Sequence, residues 1–408
     1  MIDNKRIKSS RFALFYTFFV ILGTFTLIHG WFPQLHRLVF LCFGIVAITV
    51  LTAPKFFLSK EFIMIMIYSG VVYMNFLMGD KFTEGKEVLD GLTLASCGAM
   101  AFYYAKSDDQ KHKIQLFWAS FIIILIDLIG TLILYIINPE IVRFVQSMAN
   151  GGDNTSTLEF YKYGLVEYDM LHGFPVLIPP LIMWIRDDKT KRIWKIIGYL
   201  CLGILVILLY IGDATTPFLL SLIAIVFSFL IVKNSHKRSV RRLLVIGAVA
   251  VPILMFGDSL INGTLDVAYN VTDGELQKKI DDFRQMRKSG EMEGDVDVRY
   301  NLYESSVDAF WGSPLIGTND LDSLGGHSAF FDRLGAFGLL GTIPWVLVFV
   351  WLTRFNYKFL PHKARDYYLV GVFCFAALLL LKNMSYFYTW YTFVVLLPCM
   401  LTLNVENK

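Results

Sequence analysis

Long, nearly uncharged apolar runs constrain this chain more than any other feature. A helix needs roughly 20 apolar residues to cross a bilayer. Twelve stretches qualify, at about 12–29, 37–53, 62–78, 88–105, 116–137, 171–185, 196–212, 217–232, 243–261, 334–352, 366–381 and 387–403. Of the 408 residues, 55% are hydrophobic and 17% charged, whereas an average soluble domain carries about 25% charged residues. That balance excludes a cytosolic enzyme, a disordered chain and a secreted disulfide scaffold. A formal net charge of +3 leaves no basic excess for nucleic acid. The expected fold is an all-α polytopic membrane protein of about 12 transmembrane helices, with a large, partly helical extracytoplasmic loop before the tenth span.

The charges sort by side. With the N-terminus inside, the cytoplasmic segments collect 24 of the 37 basic residues and 8 of the 34 acidic ones. This is the positive-inside bias of a chain with both termini in the cytoplasm. The N-terminus reads as a first span, because no small-residue cleavage site follows its apolar run. Cys42, Cys97, Cys201, Cys374 and Cys399 all fall in apolar runs and read as packing residues. Three parts result. Residues 1–261 carry helices one to nine and an extracytoplasmic loop at about 138–170, residues 262–333 form the large extracytoplasmic loop, and residues 334–408 carry helices ten to twelve.

A long ordered loop is more often functional than connective, so the chemistry is sought in 262–333. Residues 274–289 place Leu276, Ile280, Phe283 and Met286 near helical spacing, which predicts an amphipathic helix able to lie on a membrane surface or to pack on its own loop. A second helix is predicted over 297–311, stopped by Gly312-Ser313-Pro314, with Arg299, Tyr303, Ser306 and Phe310 on one face. An arginine among aromatics suits a phosphate or sugar ligand through its planar fork; a surface ion pair to Glu304 or Asp308 is the competing reading. Gly325 and Gly326 then form a turn, Ser328 is placed to cap the tenth helix, and His327 sits at its mouth with Asp332 and Arg333 in the early turns. Asp127 is the most exceptional charge in the chain, lying mid-run in FIIILIDLIGTLIL. Intramembrane acids are expensive and usually face a cavity, so Asp127 either contacts substrate, pairs with a base such as Lys382, or is hydrogen-bonded within the bundle. The acid pairs Asp295-x-Asp297 and Asp320-x-Asp322 lack accompanying histidine spacing, so no metal ion and no other cofactor is expected.

Arg299, a helix, Phe310, Ser313-Pro314-Leu315-Ile316-Gly317, then Gly326-His327-Ser328 and a glycine-rich helix resemble the O-antigen polymerase and ligase superfamily over about 299–341. The resemblance implies a polysaccharide polymerase (O-antigen or capsule type) in the bacterial cytoplasmic, or inner, membrane. Such an enzyme moves glycan from a polyprenyl diphosphate donor to a sugar hydroxyl of a lipid-linked acceptor on the outer face. It implies His327 and Arg299 as catalytic residues and, more weakly, Arg333 as a phosphate contact. Tyr303, Asp332, Asp127 and Lys382 complete the expected substrate-binding set. The implied partners are undecaprenyl-diphosphate-linked oligosaccharide and membrane lipid, with a chain-length regulator and a flippase, and no nucleic acid. The turn between spans seven and eight departs from the family: a Ser-Arg pair is frequent there, and this chain has Gly212-Asp213-Ala214-Thr215-Thr216-Pro217. Lys382, Arg143 or Lys162 is then the substitute cation. His327 is read as the base, or as a hydrogen-bonding or phosphate-contacting group. A ligase of finished glycan and a lipid-linked oligosaccharide flippase are the alternative functions.

Overall fold

The computed structural model describes residues 35–78, 86–106, 110–137, 168–212, 215–231, 295–320, 324–382 and 387–403, with isolated positions between 269 and 281. Among these residues every regular element is a helix. Helices α1 (Leu35–Thr52) and α2 (Lys60–Met78) are joined by a 3-10 turn over Pro54–Leu58, and α3 (Lys86–Lys106) and α4 (Gln110–Ile137) follow. A second group comprises α5 (Tyr168–Arg186), α6 (Arg192–Ile211) and α7 (Thr215–Leu230). The last group is α8 (Asp295–Gly312), α9 (Ala329–Phe359), α10 (Arg365–Leu381), α11 (Phe387–Tyr391) and α12 (Leu397–Leu403), with a π turn over Thr392–Leu396 between the final two.

The structure corrects the expected count of 12 transmembrane helices. Among the described residues four helices are long and apolar enough to cross a membrane: Lys113–Ile137, Arg192–Ile211, Ala329–Phe359 and His362–Leu381. Several long apolar helices of this kind are what a membrane protein presents. Leu41–Thr52, Leu171–Arg186, Thr216–Leu230 and Thr389–Thr402 are apolar but shorter, and the runs 12–29 and 243–261 lie outside the described residues. The physical reason is that an apolar run measures hydrophobicity without measuring helix continuity. The run at 387–403 passes through a π turn, and its apolar helix, Thr389–Thr402, is shorter than a span. The run at 88–105 sits in a helix that also holds Lys86, Glu87, Asp90 and Lys106.

Burial separates the helices. The apolar windows of α9 and α10 are 50% and 56% buried, against 29% and 28% for those of α4 and α6, so α9 and α10 form the interior. Helix α5 is the extreme case: Phe174, Val176, Ile178 and Ile182 are fully buried, and α5 packs against α6, α7 and α10. It carries Pro175, Pro179 and Pro180, which an apolar helix tolerates where neighbouring helices surround the disturbed backbone. Aromatic rings fill the centre. Phe375 stacks on Phe393 at 4.1 Å, and Trp390 meets Phe375 and Trp345 edge-on at 5.2 and 6.0 Å.

Basic residues gather where α9 ends. Arg186, at the end of α5, donates to the carbonyls of Ser228 and Phe229 in the last turn of α7 and to the Tyr367 hydroxyl, a favourable place for a cation on a helix dipole. Lys363 pairs with Asp187 at 3.3 Å. The helix predicted over 297–311 is found as α8 and lies against α9. The predicted helix over 274–289 falls almost wholly outside the described residues.

Candidate functional site

The site is built where α9 begins, and its foundation is a break in that helix. Gly338 has φ 56° and ψ −159°, a conformation that glycine adopts at little cost and other residues rarely do. The break removes the two bonds that Leu339 and Leu340 would make to Gly335 and Ala336. Loop residues replace each of the four freed groups. The amides of Leu339 and Leu340 donate to the carbonyls of Pro314 and Leu315 at 2.9 and 3.1 Å. The carbonyls of Gly335 and Ala336 accept from the amides of Thr318 and Asn319 at 2.9 and 3.0 Å. Within a bilayer, broken backbone survives where protein re-satisfies it, and here Ser313-Pro314-Leu315-Ile316-Gly317 does so. Gly317, at φ +74°, approaches so closely that a β-carbon there would overlap the Ala336 carbonyl. The segment Ser313–Gly317 is thus a backbone clamp on the broken helix.

The clamp leads into the turn bearing His327. Ser328 caps α9: its Oγ accepts from the Phe331 amide at 3.2 Å, satisfying one of the orphan donors of a helix start. Asp332 reaches back, its Oδ2 accepting from the Ser328 amide at 3.1 Å and its Oδ1 from the Ser306 hydroxyl at 2.8 Å. Ser306 in turn accepts from the Gly325 amide at 3.2 Å. A β-carbon on Gly325 would overlap the Leu302 carbonyl, so the turn lies directly on α8. Ser306, Ser328 and Asp332 are buried, whereas His327 is exposed. The histidine therefore projects from a turn whose backbone is tied down on both sides.

Two further expected residues meet here. The Lys382 carbonyl accepts from the Ala329 amide at 2.9 Å, which sets the end of α10 beside the first turn of α9. The Tyr303 hydroxyl donates to the Leu381 carbonyl at 3.1 Å, and its ring lies 5.8 Å from Phe331. Arg299 lies one helical turn before Tyr303 on α8; its side chain is outside the described residues. The structure thus brings His327, Asp332, Tyr303 and Lys382 together, with the backbone of Arg299 adjoining.

Arg333 is placed differently. It is 4% exposed, and the protein itself uses its donors. Its Nη2 pairs with Asp90, its Nε donates to the Tyr68 hydroxyl at 3.1 Å, and its Nη1 donates to the Ala329 carbonyl at 3.1 Å. Its plane lies 4.8 Å over the Trp345 ring, and Tyr68 donates to Asp90 at 2.6 Å. Arg333 joins α9 to α2 and α3. Helix α4, which carries Asp127, packs on α6 and α12, and the Asp127 side chain is outside the described residues. Sequence reasoning missed Tyr68 and gave Asp90 no role. Asp90 lies in the apolar run at 88–105, but nothing local marks a partner 243 residues away. No protein-family model and no curated protein matches this chain.

Proposed function

We propose that this chain polymerises lipid-linked polysaccharide repeat units at the outer face of the bacterial cytoplasmic membrane. In this reading the end of the bundle where α9 begins faces outward, and the basic end around Arg186 and Lys363 faces the cytoplasm. The transfer breaks the bond between the donor's anomeric carbon and the diphosphate oxygen, and the departing diphosphate keeps the electron pair. A bond forms from the acceptor hydroxyl oxygen to that carbon, and the hydroxyl proton passes to a base. His327 is the base, exposed on a fixed turn, since general-base catalysis requires a proton acceptor held within reach of the hydroxyl. Arg299 and Lys382 supply positive charge to the leaving diphosphate, and Tyr303 offers an aromatic face beside them. Asp332 and Ser306 act through the turn by holding its position. Arg333, with its donors engaged internally, serves the packing of α9.

The observation that carries this reading is an exposed histidine on a turn pinned by Asp332 and Ser306, beside Lys382 and on the flank of α8 that leads to Arg299. Single His327→Ala and Arg299→Ala variants, expressed in a strain making the glycan, test it through chain length and lipid-linked intermediates. Loss of polymer with single repeat units accumulating on the outer leaflet is the expected result. Long lipid-linked polymer that never reaches a final acceptor identifies a ligase instead, and accumulation on the inner leaflet identifies a flippase. Wild-type chain lengths in both variants remove the site assignment.

A further inference from the structure

At the end of the bundle opposite the His327 turn lies a charged face that glycan transfer does not use. The loop from α5 to α6 and the loop from α9 to α10 are tied together there by the Lys363–Asp187 pair at 3.3 Å. Residues 186–195 and 354–366 hold nine basic residues and three acidic ones. Asp187 is taken by Lys363 and by the Lys189 amide, which donates to it at 3.1 Å, and Asp366 is buried. Of these three acids Asp188 alone is exposed. Lys189, Lys191 and Arg192, at the start of α6, are exposed, and among the described residues none of the three forms an ion pair.

Directly after these cations α6 turns an apolar stripe outward. Ile193, Ile196, Leu200 and Ile207 are between 47% and 60% exposed, at a spacing that places them on one side of the helix. At 1.5 Å per residue the stripe runs about 21 Å, enough to cover the roughly 15 Å hydrocarbon depth of one leaflet. Between cations and stripe sits Trp194, its ring 5.4 Å from Trp118 and 6.2 Å from Trp184. Tryptophan gathers at the boundary between membrane and water. Cations, indoles and apolar stripe thus follow the order of headgroup, interface and acyl chain in a phospholipid. Clustered Lys and Arg beside a spanning helix attract anionic headgroups, whereas a zwitterionic lipid brings an ammonium that this face repels. We propose that the start of α6 binds an anionic phospholipid, with its phosphate on Lys189, Lys191 and Arg192 and an acyl chain along the stripe.

The test uses purified full-length protein in neutral detergent, offered an equal mixture of phosphatidylglycerol and phosphatidylcholine with matched acyl chains. Native mass spectrometry reads the ratio of the two lipids bound. The unaltered protein is expected to retain phosphatidylglycerol roughly tenfold over phosphatidylcholine. Lys189→Gln, Lys191→Gln and Arg192→Gln combined are expected to bring that ratio near unity, and Arg192→Gln alone to lower it severalfold. An unchanged melting temperature by tryptophan fluorescence shows that each variant is folded. Lys55→Gln with Lys60→Gln removes two exposed cations between α1 and α2 and is expected to leave the ratio unchanged. The proposal is overturned if the unaltered protein binds both lipids equally or if the triple and single α6 variants keep the full ratio. An equal fall in the Lys55/Lys60 variant also overturns it, by showing a general effect of charge.

Discussion

Arg333 and Lys113 are both buried cations near opposite ends of α9 and α4, and the protein treats them in opposite ways. Arg333 is surrounded by groups of its own chain: the Asp90 carboxylate, the Tyr68 hydroxyl, the Ala329 carbonyl and the Trp345 face. Lys113, in the first turn of α4 and 6% exposed, has no ion pair among the described residues. The contrast shows how burial alone misleads. A fully partnered guanidinium ties helices together and has no free donors to offer a ligand.

The largest effect is expected at the partnered cation. Replacing Arg333 by Met leaves Asp90 buried without its counter-charge, and breaking such a pair costs about 3–5 kcal/mol. Thermal unfolding in detergent should register this as a steep fall in melting temperature. The double change Arg333→Met with Asp90→Leu should recover much of that loss, because an apolar pair of similar volume often matches or exceeds a buried ion pair. A double variant as unstable as Arg333→Met alone would show that the contrast with Lys113 does not rest on charge.

A smaller effect separates the contributions within that cluster. Tyr68→Phe removes the hydroxyl that donates to Asp90 and accepts from Arg333 while preserving the ring, at an expected cost of about 1–3 kcal/mol. Next comes the His327 turn, which is held by neutral capping rather than by a buried cation. Ser328→Ala should destabilise by about 1 kcal/mol and lower glycan transfer more than that loss of stability explains, since the turn would no longer be pinned. The smallest change is expected at Lys113. Lys113→Met should leave the melting temperature nearly unchanged, because among the described residues this lysine has no ion pair to lose. A marked loss of stability there would reveal an internal partner and dissolve the comparison.

Local structure was readable wherever the signal lies within a few residues. The helix predicted over 297–311 appears as Asp295–Gly312, because the stop at Gly312-Ser313-Pro314 is a property of those residues alone. Ser328 was readable as a cap for the same reason, and its bond to the Phe331 amide is present. The shared face of Tyr303 and Ser306 followed from helical spacing, and both residues reach neighbours across α8's inner flank. The expected phosphate contact at Arg333 was implied by the resemblance alone. One residue away, Asp332 points back to the turn while Arg333 points into the bundle, and that division depends on α2 and α3.

The twelve apolar runs illustrate the same limit. Hydrophobicity is additive along the chain and can be summed from a sequence, whereas helix continuity depends on what surrounds each backbone group. The break at Gly338 exists because Pro314, Leu315, Thr318 and Asn319 are there to satisfy it. By itself, then, the sequence determined that the chain is helical, apolar and polar mainly in its late loop, since these follow from composition and short-range periodicity. Only the tertiary structure decided where α9 breaks and which cation is spent within the protein, because those outcomes are set by contacts between residues distant in sequence, up to the 243 positions that separate Arg333 from Asp90.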